Sequence, residues 1–180
     1  NDSLSNKVVA IQGVGNVGYY LGLLLEKEGA RLIVADINEE RTKRLAHEIK
    51  VEIVSPEQIC LQEVDIPSPC ALASTINKKM IPFFKCKIIA GAANNQLSKD
   101  SDADLLVQKG IVYAPDYVIN AGGLIHVVAE YEGQKMEYVY DVVSKIYQRM
   151  RNILSLSREK NLPTNRIADL MVQEKIHNLP

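Results

Sequence analysis

The stretch KVVAIQGVGNVGYYLGLLLEKEGARLIVAD, Lys7–Asp36, places Gly13, Gly15 and Gly18 between a β-branched apolar run and a periodic apolar one. Glycine loses the most conformational entropy on folding and packs no side chain. Three of them at one junction therefore serve something other than a core. Val8–Ile11 reads as a buried strand, Val17–Lys27 as a helix ending at Gly29, and Arg31–Ala35 as a second strand.

Gly13-x-Gly15-x-x-Gly18 thus falls between a strand and a helix, the context in which this spacing marks a dinucleotide site. Gly13 makes the tight turn, Gly15 lets a pyrophosphate approach the backbone, and Gly18 lets the helix lie close to the sheet. Amides around Asn16 and Val17 then meet the phosphates with the helix dipole behind them. Asp36 closes the second strand, where an acidic side chain takes ribose hydroxyls. Its charge would repel a 2′-phosphate, which favours NAD over NADP. Arg41, five residues on, could soften that repulsion, but as an exposed helix residue it reads as a solvated charge.

Working outward, Asn38 reads as the N-cap of a helix through Glu48, with Glu39 and Glu40 at its positive end. Val51–Val54 reads as a third, weaker strand, followed by a short helix after Pro56 and a strand near Val64–Ile66. Lys87–Ala90 and Ile111–Tyr113 are two more strands, separated by a polar helix around Asp102–Lys109. Strands alternating with helices predict an α/β fold: a Rossmann-type, doubly wound, mostly parallel sheet built from right-handed crossovers. After INAGG the character changes, and Leu124–Tyr131, Tyr138–Ser157 and Asn165–His177 read as additional C-terminal helices.

The bulk properties narrow the class. The chain has 180 residues, enough for one domain with a sizeable core. Its 21 basic and 22 acidic residues are mixed along the chain and leave a net charge of −1, which is no footprint for nucleic acid or for a membrane surface. Apolar runs fall short of a spanning helix. Three cysteines, Cys60, Cys70 and Cys86, are odd in number and lack metal-ligand spacing, so no metal site and a reduced, cytoplasmic compartment are expected.

Four segments carry a resemblance: VAIQGVGNVG at the start, DIPSPCALASTIN (Asp65–Asn77), IIAGAANNQL (Ile88–Leu97) and GIVYAPDYVINAGGLI (Gly110–Ile125). In this order and spacing they resemble the glutamate/leucine/phenylalanine/valine dehydrogenase family over essentially all 180 residues. The resemblance implies an oxidoreductase: NAD-dependent oxidative deamination of L-leucine or a similar apolar amino acid to its 2-oxo acid and ammonia. Tryptophan or phenylalanine as the substrate stays open, as does a non-catalytic NAD-binding regulatory module.

By the same resemblance Cys70 and Ala71 would lie beside the cofactor, near a ribose. Ala93 and Asn94 would sit at the nicotinamide ribose, and Asn120 at the carboxamide or the reacting centre. Leu124 and Val127 would line the substrate side-chain pocket. From spacing alone, Leu124 and Val127 fit a helix core equally well, and Asn94 fits a turn. His126 stands where leucine-type members carry asparagine.

The family's substrate-carboxylate lysines, one of them in a GGGK segment, and its catalytic aspartate have no counterpart in this sequence. No catalytic residue is therefore assigned. Residues 1–180 are expected to form the NAD-binding domain of a two-domain enzyme whose N-terminal catalytic domain lies outside the chain. The full-length enzyme is expected to be a homo-oligomer.

Overall fold

A computed structural model describes residues 3–71 and 73–177. Leu72 of the DIPSPCALASTIN segment lies outside the described residues. Strands β1 (Val8–Gln12), β2 (Arg31–Ala35), β3 (Val51–Ile53) and β4 (Ile66–Pro69) form one parallel sheet in the order β3-β2-β1-β4. Strands β5 (Ile88–Ile89) and β6 (Val112–Tyr113) pair in parallel beside it. Helices α1 (Asn16–Lys27), α2 (Glu39–Glu48) and α3 (Asp102–Gln108) are crossovers. A short α4 (Asp116–Ile119) follows β6, and then come α5 (Gly122–Tyr131), α6 (Met136–Lys160) and α7 (Thr164–His177).

The period-2 pattern of the strands decides the layers. Val9, Ile11, Leu32 and Val34 pack on one face with Tyr19 of α1 and Leu45 of α2. Ala10, Ala35, Val8 and Ile33 pack on the other with Ile59 and Val64. Around β5 and β6, Ile89, Ile111 and Tyr113 enclose Leu106 of α3. Ile153 of α6 and Ile167 and Ala168 of α7 form a further cluster.

Three expectations are corrected. The strand read at Val64–Ile66 runs instead from Ile66 to Pro69, although proline within a strand is usually confined to edges and bulges. The strand accommodates them through its alternation. The Ser68 side of β4 pairs with β1, while Pro67 and Pro69 face β5. Their carbonyls accept from Ala90 N–H (3.2 Å) and Ala93 N–H (2.9 Å), and neither proline has an N–H to return. The two sheet pieces therefore join through a one-way seam. The helix read after Pro56 is a single 3-10 turn, Ile59–Leu61. The strand read at Lys87–Ala90 is reduced to Ile88–Ile89, since Ala90 already turns its N–H to Pro67.

Candidate functional site

All loops that follow the parallel strands open on one edge of the sheet, and neighbouring β1 and β4 wind away in opposite directions. That is the switch point at which open α/β sheets hold ligands. The first loop behaves as its glycines require. Gly13 has φ +101°, and a Cβ there would sit 2.5 Å from the Ala71 Cβ. At Gly18 a Cβ would lie 2.0 Å from the Gly13 carbonyl oxygen, so the third glycine is fixed by the fold itself. Gly15 differs: at φ −70° a Cβ would meet nothing nearer than an Arg41 nitrogen at 3.9 Å. The fold leaves that space open.

Gly15 caps α1 without a side-chain acceptor, and no acidic residue stands in the helix's first turn. The amides of Asn16 and Val17 thus belong to an uncapped helix start, with nothing anionic of the protein's own to compete for them. Asp36 sits against the same loop. Its Oδ2 accepts from Val14 N–H at 2.7 Å and its Oδ1 from Asn38 N–H at 2.8 Å, with 4% of the side chain exposed. A carboxylate has about four acceptor sites, so Asp36 keeps lone pairs beyond these two bonds. Arg41 is not a free solvated charge. Its guanidinium lies 3.7 Å from Asp36 Oδ1 and overlooks Gly15.

Across the switch point, Asn120 donates from Nδ2 to Asn94 Oδ1 at 2.6 Å and to the Ala92 carbonyl at 3.4 Å. The two asparagines are 26 residues apart in sequence and face each other at the site. Ala93 is buried beneath them, and its N–H goes to Pro69. Cys70 follows β4. Burial pushes its thiol above the ordinary range, so it is a protonated, packed group rather than a nucleophile. Ala71 is exposed beside Gly13. Leu124 and Val127 are 69% and 61% exposed on α5, which removes them from the core. His126 is exposed between them. Among the described residues no group of His, Cys, Asp or Glu could hold a metal ion, and no helix is long and apolar enough to cross a membrane.

The parts of the site that the sequence left unread lie beneath it. Gln96, with 0% exposure, donates from Nε2 to the carbonyls of Gly91 (2.6 Å) and Ala93 (2.9 Å). Its own N–H reaches Asp116 Oδ2 at 3.4 Å, and Asp116 Oδ1 accepts from Tyr113 O–H at 2.9 Å. Burial, reinforced by the Asp116 charge, pushes the Tyr113 phenol well above its ordinary value. This network ties the Gly91–Gln96 loop to the segment carrying Asn120. A glutamine two residues after an asparagine gives little warning of it, although a buried glutamine is uncommon.

A parallel sheet of this order, with an open glycine loop, a bare helix start and an acidic second-strand end, defines a Rossmann-type α/β fold. The chain belongs to the Glutamate/Leucine/Phenylalanine/Valine dehydrogenase family, whose model matches residues 33–167. It is 46% identical over 178 residues to a leucine dehydrogenase of Bacillus cereus, covering 99% of this chain and 49% of that protein. A phenylalanine dehydrogenase of Thermoactinomyces intermedius is 41% identical over 180 residues, covering 99% and 49%. The crystal structure of L-tryptophan dehydrogenase from Nostoc punctiforme superposes with a TM-score of 0.95 at 38% identity, over 99% of this chain and 53% of that one. The chain thus spans about half the length of the relatives it matches.

Proposed function

We propose that this chain is the NAD-binding domain of an amino-acid dehydrogenase that oxidatively deaminates L-leucine or a similar apolar amino acid to the 2-oxo acid and ammonia. The observation that carries the reading is the open face of Gly15 beside the bare first turn of α1, with Asp36 held against the same loop. When bound, NAD supplies the hydride acceptor at its nicotinamide ring.

The chain's own residues bind and orient. Gly13, Gly15 and Gly18 keep the backbone bare, and Asn16 and Val17 offer N–H groups to the phosphates. Asp36 uses its remaining lone pairs for ribose hydroxyls, and Cys70 and Ala71 border the site after β4. Ala93 and Asn94 serve the nicotinamide ribose. Asn120 has committed Nδ2 to Asn94, which leaves Oδ1 to accept from the carboxamide amine. Leu124 and Val127, exposed on α5, are the residues that would line the substrate side-chain pocket. The groove beside Asn94 and Asn120 has a volume of about 750 Å³ and no charged side chain in its lining. The groups that clamp the substrate carboxylate and move protons therefore come from the other half of a protein of the relatives' length. A second reading, with tryptophan or phenylalanine as the substrate, rests on the relatives that bear those names.

Fluorescence titration with NADH, followed by a leucine-plus-NAD assay on the same sample, tests the proposal. The 180-residue chain is expected to bind NADH saturably and to reduce no NAD. A folded sample that does not bind NADH would sink the cofactor site. Steady turnover would sink the division of labour between halves.

A further inference from the structure

The loop after β5 is built around one side chain. Gln96 is fully buried and donates from Nε2 to the carbonyls of Gly91 (2.6 Å) and Ala93 (2.9 Å). The acceptors that hold Asn120 alternate with these. Asn120 Nδ2 goes to the Ala92 carbonyl at 3.4 Å and to Asn94 Oδ1 at 2.6 Å. Positions 91 and 93 are thus tied to the glutamine, and positions 92 and 94 are offered to the asparagine. Gln96 is itself anchored through its backbone. Its N–H reaches Asp116 Oδ2 at 3.4 Å, and its carbonyl accepts from Ile76 N–H at 3.0 Å. Asn95, at φ +53°, is the left-handed residue that turns the chain between exposed Asn94 and buried Gln96.

Packing alone does not account for a glutamine at this place. Its Oε1 is buried with no hydrogen-bond partner among the described residues, and an orphaned buried acceptor is costly. An apolar side chain of the same length would fill the volume without that cost. What it could not supply is the pair of N–H donors. We infer that Gln96 is a positioning residue for the nicotinamide end of the site. By fixing the Gly91 and Ala93 carbonyls it sets Asn94 Oδ1 and the Ala92 carbonyl, and through them the direction in which Asn120 presents its own Oδ1. This rests on the dinucleotide site proposed above. A primary amide has a donor end and an acceptor end, and a free asparagine can turn either toward a ligand. With Nδ2 committed, Asn120 keeps the acceptor end for a carboxamide N–H. Asp36 hangs on none of these bonds, since it accepts from Val14 and Asn38. Gln96 therefore acts on one end of the ligand and not on the other.

The test compares NADH with ADP, which carries the adenosine and pyrophosphate but no nicotinamide riboside. Both are titrated by calorimetry into the 180-residue chain and into Gln96→Met, with folding checked by thermal melting. Methionine keeps a long unbranched side chain and removes both donors. Gln96→Met is expected to weaken NADH about tenfold or more while ADP stays within about threefold of wild type. A residue that merely held the fold would weaken both ligands alike or neither. A folded variant that binds NADH within about threefold of wild type would overturn the inference, and so would a parallel loss of ADP. The wild type supplies a second measurement that stands if the variant does not fold. In its amide NMR spectrum the Gln96 side-chain protons are expected to exchange slowly with solvent and to shift on adding NADH but not on adding ADP. A Gln96 amide that ignores NADH, or answers ADP equally, overturns the inference. A wild-type chain that binds neither ligand refutes the dinucleotide site, and the inference falls with it; a loss confined to NADH in the variant is a different result.

Discussion

Replacing Gly15 with alanine separates what the fold needs from what the ligand needs. The new methyl group would face open space, with Arg41 the nearest neighbour at 3.9 Å. At φ −70° and ψ −164° the backbone is ordinary for alanine. Two modest terms then oppose each other. Alanine is the poorer N-cap by up to about 1 kcal/mol, and it reduces the entropy of the unfolded chain by about 0.4–1 kcal/mol. Stability should therefore change by less than about 1 kcal/mol. Cofactor binding should not be spared, because the methyl occupies the space left for the pyrophosphate. Charge-assisted hydrogen bonds contribute about 1.5–3 kcal/mol each. Displacing one of them from the first turn of α1 weakens binding about 10- to 100-fold. Gly18→Ala is the contrasting control, since its Cβ would lie 2.0 Å from a backbone carbonyl oxygen and α1 cannot stay in place. Thermal melting and NADH titration on both variants give the answer. A Gly15→Ala chain that melts like the wild type and binds NADH equally well would refute the assignment of that space to phosphate.

Tyr113→Phe takes the O–H donor from buried Asp116, and the unpaired acceptor should cost about 1–3 kcal/mol in urea unfolding at pH 8. Because the folded-state value of Tyr113 is raised, its contribution is fully present below the unfolded tyrosine value of about 10 and fades as pH climbs above it. The gap between wild type and variant should therefore narrow in that alkaline range, and a gap constant up to about pH 11 would refute the account. In a protein of the relatives' full length, Leu124→Gly should raise kcat/KM for phenylalanine relative to leucine, at about 1–3 kcal/mol per methylene of pocket. An unchanged ratio would separate this exposed leucine from substrate recognition.

The β1–α1–β2 unit was readable from the sequence because its determinants are local. A glycine turn, a helix start and two apolar strands lie within thirty residues of one another. Asn38 capping α2 through Glu40 N–H was legible for the same reason. The misreadings occurred where distant chain supplies the partner. Nothing near Pro67 announces that its carbonyl will serve Ala90, so the run of β4 through two prolines is not legible locally. Asp36 was legible as an acidic strand end, but its bond to Val14, 22 residues away, was not. Arg41 looked like a surface charge because helix periodicity cannot show which loop a face will overlook. The network of Gln96, Asp116 and Tyr113 is held by contacts across 20 residues and is visible only once the sheet is assembled.

The prolines of β4 set how the sheet yields. Gly91 lets the chain after β5 come so close to Pro69 that a Cβ there would lie 2.2 Å from the proline carbonyl, yet the bonds across this line are all donated from one side. On one bank stand the glycine loop and Asp36, and on the other Asn94 and Asn120. The prolines thus leave the β4–β5 line held by donors from one bank only.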